Sequence, residues 1–206
     1  MKRLLLILIL TLSFQTLTKA DDVRDFKIEG MSVGDILLDY YSLIEINKAK
    51  EAEGHFEGEK TYYFESNLSL YERVRIYTLD KNDKIVSITG EKFVNYKKCL
   101  NLQKQIIIEF NDLFDLSSVT IGELDDFITV NDPTGQSFYT DYSIFFENND
   151  IAYIRCYSYT EESNIGDRLE VAVYLKVHDD IMEKSNGVSK KNRIIKHDSI
   201  TPLPLA

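Results

Sequence analysis

Tryptophan is absent from this 206-residue chain, proline occurs three times and glycine nine times. So few breakers argue against a disordered chain and against any fibrous class. Cysteine is scarce too, at two residues, and no C-x-x-C pair is present, which disfavours a dithiol redox function. The 24 basic residues are outnumbered by 34 acidic ones and form no cluster near the core. That balance speaks against nucleic acid or an anionic membrane surface as a partner. Nothing resembles H-E-x-x-H. His55, His178 and His197 lie far apart in loop-like or tail sequence and read as surface residues rather than metal ligands. No metal or cofactor is expected.

The first residues present a basic Met1-Lys2-Arg3, a Leu/Ile run from Leu4 to Leu12, and Thr18-Lys19-Ala20 before Asp21. This is the layout of a cleaved secretory leader. The run is too short for a ~30 Å hydrocarbon core. No cysteine follows it to accept a lipid, and no later segment is apolar for long enough to span. The expectation is a leader at 1–20, a single domain at 21–184 without a transmembrane anchor, and a basic tail at 185–206. Loss of Lys2, Arg3 and Lys19 takes the formal net charge from −10 to −13. Periplasmic or secreted localisation follows from the leader.

The clearest local pattern runs from Asn95 to Phe114. Tyr96, Cys99, Leu100, Gln103, Ile106, Ile107, Phe110, Leu113 and Phe114 recur at steps of three and four, which predicts an amphipathic helix over 95–114. Two lysines near its start and an acid near its end oppose the helix dipole, so packing must stabilise it. Ser32 followed by Asp35 reads as a capping-box-like pair opening a first helix at about 33–46. From Thr61 the period changes to two, with apolar even positions from Tyr62 to Ile76 and a break near Ser66-Asn67; Lys84–Thr89 returns as a partner strand. Gly90–Val94 reads as a lead-in to the helix, and 115–134 as turns with short apolar pieces. Tyr142–Glu147 and Ile151–Thr160 flank Asn148-Asn149-Asp150 as a hairpin. Leu169 to Val177 alternates strictly, and Asp179–Lys184 reads as a short helix. The fold class is α+β, a mainly antiparallel sheet packed on one long helix.

Cys99 lies on the helical stripe, and Cys156 is in phase with Ala152 and Ile154 on a strand. In an exported chain, two cysteines on faces that would meet make a disulfide candidate.

Chemical motifs fail on inspection. Gly58-Glu59-Lys60-Thr61 ends like a phosphate loop, but Gly54 is one residue too close. Asp80 to Lys84 starts like a calcium loop without its glycine, and a hairpin turn explains it. Gly135-Gln136-Ser137 and Gly187-Val188-Ser189 lack the second glycine of a nucleophile elbow. Asp125-Asp126 and Asp179-Asp180 are adjacent carboxylates of the kind that usually stays solvated. Tyr153, Tyr157 and Tyr159, with Arg155 among them, are the candidate ligand-facing aromatics; cross-strand packing is the competing and favoured reading.

The stretch IEGMSVGDILLDYYS behind a leader, together with NYKKCLNLQKQIIIEFNDLF and a downstream NDPTGQS, resembles a group of uncharacterised exported proteins of marine alphaproteobacteria. That resemblance extends over most of the mature chain and implies no functional residue. Gly30-Met31-Ser32 opening a helix before antiparallel strands is similar to BamE-like outer-membrane assembly lipoproteins and to β-lactamase-inhibitor-type domains; the chain departs from the former in lacking a lipoprotein cysteine. The functional expectation is a non-catalytic binding or interaction module whose partner is a small ligand or an envelope protein. The alternatives are a hydrolase using carboxylates such as Asp125 and Asp126, or an outer-membrane assembly accessory.

Overall fold

The computed structural model describes residues 22–52, 59–65, 67–79, 82–114, 119–128 and 134–178. The expected leader, the short helix expected at 179–184, the expected tail at 185–206, His55, His197, Gly54, Gly58 and the Gly187 motif lie outside those residues.

Among the described residues eight strands make one sheet: β1 (Lys50–Ala52), β2 (Glu59–Phe64), β3 (Arg73–Leu79), β4 (Lys84–Phe93), β5 (Val119–Ile128), β6 (Phe138–Phe146), β7 (Ile151–Ser158) and β8 (Arg168–Tyr174). Their order is β1-β2-β3-β4-β8-β7-β6-β5, and every neighbouring pair is antiparallel. Two four-stranded meanders thus meet at β4 and β8. The expected antiparallel α+β architecture is present, with more strand than the sequence reading allotted. Gly90–Val94 is no lead-in, because β4 continues to Phe93 and pairs with both β3 and β8. Within 115–134, residues 119–128 are not turns with short apolar pieces but the edge strand β5 on β6.

The long helix is α2 (Tyr96–Leu113), following α1 (Leu43–Lys48). Asn95 caps α2 by accepting from the Lys98 N–H at 2.9 Å, and Asp167 accepts from the Tyr96 N–H at 3.0 Å. These bonds satisfy donors that a helix start leaves orphaned. The helix lies on β7 and β8. Cys99, Gln103 and Phe110 of its stripe are buried, while Ile108 on the opposite side is exposed. Leu113, placed on the stripe by its spacing, is exposed at the last residue of the helix.

No helix runs from 33 to 46. Gly34 has φ +97°, a left-handed conformation that an α-helix cannot contain. The Ser32 N–H does meet the Asp35 carboxylate at 2.9 Å, but this pair closes a turn. Backbone bonds from Gly34 to Ile85, from Ile85 to Asp35 and from Leu37 to Asp83 then lay the segment along the start of β4. The true capping box is Ser42 with Glu45, opening the six-residue α1. The apolar residues Met31, Val33 and Leu37 are still fully buried, as side chains of a strap rather than of a helix. Ahead of the strap, Val23–Asp25 form a short 3-10 turn.

One face of the sheet therefore holds the core. Tyr62, Phe64, Val74, Ile76, Ile88, Leu169, Val171, Val173, Ile154, Cys156 and Ile144 pack there with the N-terminal strap and α2. Phe26 of the strap meets Phe110 edge-on at 4.6 Å, and Phe114 meets Phe146 at 5.1 Å. Cys99 and Cys156 are joined, with Cα atoms 5.7 Å apart, as their phases required. Beside them Gln103 donates to the Ile154 carbonyl at 2.9 Å.

Candidate functional site

In a strand, residues of the opposite phase point to the opposite face, and here that face is charged and aromatic. β3 sends Arg73, Arg75 and Tyr77 to it, β4 Ser87, Thr89, Glu91 and Phe93, and β8 Arg168, Glu170 and Tyr174. β7 adds Tyr153, Arg155 and Tyr157, and β6 adds Tyr139, Asp141 and Ser143. The registers bring five charges into one row across five strands: Arg73 opposite Glu91, Glu91 opposite Glu170, Glu170 opposite Arg155, and Arg155 opposite Asp141.

The carboxylates form the floor. Glu91, Glu170 and Asp141 are buried, and each faces guanidinium groups. Arg73 donates to Glu91 from Nε at 2.7 Å and from Nη2. Arg168 donates to Glu170 at 2.8 Å, and Arg155 to Asp141 at 3.0 Å. Glu91 and Glu170 stand directly opposite on neighbouring strands, where like charges repel. Arg75 approaches both, at 3.8 and 3.7 Å.

The guanidinium groups are in turn held by rings. Arg155 lies 4.6 Å from the Tyr139 centroid and 4.1 Å from that of Tyr153. Arg168 lies 4.8 Å from Tyr157 and 5.0 Å from Tyr159, whose rings are mutually stacked 5.5 Å apart. Arg73 is flanked by Tyr63 and Phe93. Such cation–π contacts contribute about 0.5–2 kcal/mol each, more where water is excluded.

Burial pushes the Glu170 carboxyl up, but Arg75, Arg168 and Arg155 more than offset it and hold the group below the usual carboxylate value. Burial disfavours the Arg75 cation, yet Glu170, Tyr77, Tyr153 and Glu91 keep it firmly protonated. Burial, with Glu170 adding to it, raises the Tyr153 and Tyr157 hydroxyls, so both are neutral donors at ordinary pH.

Tyr153, Tyr157 and Tyr159, singled out from the sequence, are thus brought together around Arg155 and Arg168. Tyr157 stands opposite Arg168 on β8 and Tyr139 on β6. Arg73, Arg75, Glu91, Asp141 and Glu170 were not singled out. Their signal was present in the phase of each strand, where the positions between apolar residues carry acids and arginines. Asp125 and Asp126 fall at the register shift in β5 between Leu124, which stands opposite Asp141, and Phe127. His178, expected on the surface, is buried against Tyr77 at 4.5 Å and Tyr174 at 5.9 Å. The chain turns back after β8, with the His178 N–H bonded to the Leu175 carbonyl, and carries the ring onto this face.

No family model, curated protein or solved structure matches this chain. Among the described residues no cluster of His, Cys, Asp and Glu could hold a metal ion, and no helix is long and apolar enough to cross a membrane.

Proposed function

We propose that the chain is a non-catalytic binding module of the cell envelope, and that a small polar ligand docks on the sheet face opposite α2. The observation that carries this reading is the five-charge row, with Arg155 and the adjoining Arg168 each held between two tyrosine rings. Ordered donors and aromatic platforms fixed before the ligand arrives lower the entropic cost of binding, and a few convergent polar groups among rings suit a small-molecule site. The arrangement favours binding over hydrolysis. A general acid needs a raised carboxyl pKa, whereas Glu170 is held in the opposite direction. The leader and the Cys99–Cys156 bond support an oxidising, extracytoplasmic compartment, consistent with the exported group that the sequence resembles.

Thermal-shift screening with neutral sugars, amino acids and organic acids tests the proposal. One class is expected to raise the melting temperature of the wild type, and Tyr157→Ala with Tyr159→Ala should abolish that rise. No shift with any class, or a shift unaffected by the tyrosine changes, would leave the face without a ligand-binding role.

A further inference from the structure

Arg75 differs from the other three guanidinium groups of the face. Arg73, Arg155 and Arg168 each donate hydrogen bonds to a carboxylate, and Arg155 also reaches the Tyr157 hydroxyl. Arg75 makes none among the described residues. Its carboxylate neighbours, Glu91 at 3.8 Å and Glu170 at 3.7 Å, are beyond hydrogen-bond reach. Its Nε and the facing Glu91 Oε1 are both buried and unpartnered, although 22% of the side chain remains open to solvent.

The charges around it do not balance either. Arg155 pairs with Asp141, which leaves Arg73, Arg75 and Arg168 against Glu91 and Glu170. Among the described residues one positive charge is in excess, on a side chain 22% exposed, within a chain whose formal net charge is −10. A partly buried cation without a full set of acceptors is costly. A carboxylate offers two acceptor oxygens in the geometry of the guanidinium fork, plus one negative charge. Tyr77 lies beside Arg75 on its own strand, and Tyr63 stands opposite it on β2, so rings border the position.

We propose that Arg75 is the anion-receiving group of the face and takes the carboxylate of a small monoanionic ligand; this rests on the binding-face reading above. Three cations and two carboxylates then become a neutral set. A neutral ligand would leave the charge in excess, and a dianion would reverse it.

The test titrates the disulfide-bonded protein with D-glucuronate and with D-glucose, which differ in bearing a carboxylate or a hydroxymethyl group, at constant ionic strength. Glucuronate should bind at least about tenfold more tightly than glucose. Arg75→Lys keeps a cation between Glu91 and Glu170, so the variant should fold, as its melting curve will check, while losing the fork and the preference. Arg24→Lys, at an exposed ion pair with Asp22, should retain it. Equal binding of the two sugars, or a preference that survives Arg75→Lys, overturns the assignment. So does failure of glucuronate to bind at all, or tighter binding of inorganic phosphate than of glucuronate. If glucose binds equally well and Tyr157→Ala abolishes both, the face is a binding site and only the carboxylate inference has failed.

Discussion

Glu91 shows how much one side chain supports on this face. It is fully buried, takes two hydrogen bonds from Arg73 and stands opposite Glu170. Glu91→Gln keeps the shape but removes the charge that two arginines face. Breaking a buried pair from one side costs about 3–5 kcal/mol, and the lower end is expected because the amide oxygen still accepts a bond. A denaturant titration reads this as a lowered midpoint, and a loss below about 1 kcal/mol would show the pair to be superficial. Gly90 is a second such position. A Cβ there would lie 2.7 Å from the Tyr71 ring, so the strand glycine marks a close approach rather than a turn. Gly90→Ala should cost about 1–3 kcal/mol as Tyr71 is forced aside, read by the same titration.

At the scale of elements, α2 is fastened to the sheet by bonds of different kinds. The Cys99–Cys156 bond closes a loop with a sequence separation of 57, Gln103 reaches the β7 backbone, and the Tyr142 hydroxyl donates to Asn111 at 2.9 Å. The chain-entropy model values the covalent link at about 4 kcal/mol, and measured cases commonly give ~2–4. The double variant Cys99→Ala, Cys156→Ala should therefore remain folded but unfold at lower denaturant, with an unchanged helical circular-dichroism signal in buffer. Loss of that signal would mean that the noncovalent contacts cannot hold the helix alone. The helix was legible in the sequence because a period of 3.6 is a local property, and so was the cysteine pairing, since each cysteine is in phase with its own apolar neighbours. The supposed helix at 33–46 was not. Ser32 and Asp35 form the expected bond, but the same pattern serves a turn when Gly34 adopts positive φ and the backbone finds partners on β4.

For the whole molecule, the sheet separates an apolar side from an ionic one, and this division makes stability depend on acid. Glu170 and Glu29 both have carboxyl pKa values below the usual 4.5. Burial opposes ionisation at each, but arginines outweigh it at Glu170, and the Ser69, Leu70 and Tyr71 backbone N–H groups with the Ser69 hydroxyl do so at Glu29. A depressed folded-state pKa means the unfolded chain takes up protons first as pH falls. The stability these groups contribute is present above the unfolded value and is lost as pH falls through the folded one. Melting temperature should thus decline below about pH 4.5, and Glu29→Gln should make that decline shallower. Tyr153 and Tyr157 act at the other end, since their raised values predict stability lost as pH climbs past about 10. A melting temperature flat between about pH 3 and 6 would contradict the acid half of this account.

The sequence by itself determined the elements whose signal is short-range: the long helix, the alternating strands, the hairpin at Asn148–Asp150, and which residues of each element face the core. It also marked Tyr153, Tyr157 and Tyr159 as a group. Only the tertiary structure decided that Arg73, Glu91, Glu170, Arg155 and Asp141 form one row, because that row depends on the register of five strands drawn from both meanders. Alternation fixes the face on which a side chain lies, but not which neighbour it meets. Pairing β4 with β8 placed two carboxylates side by side with Arg75 facing both.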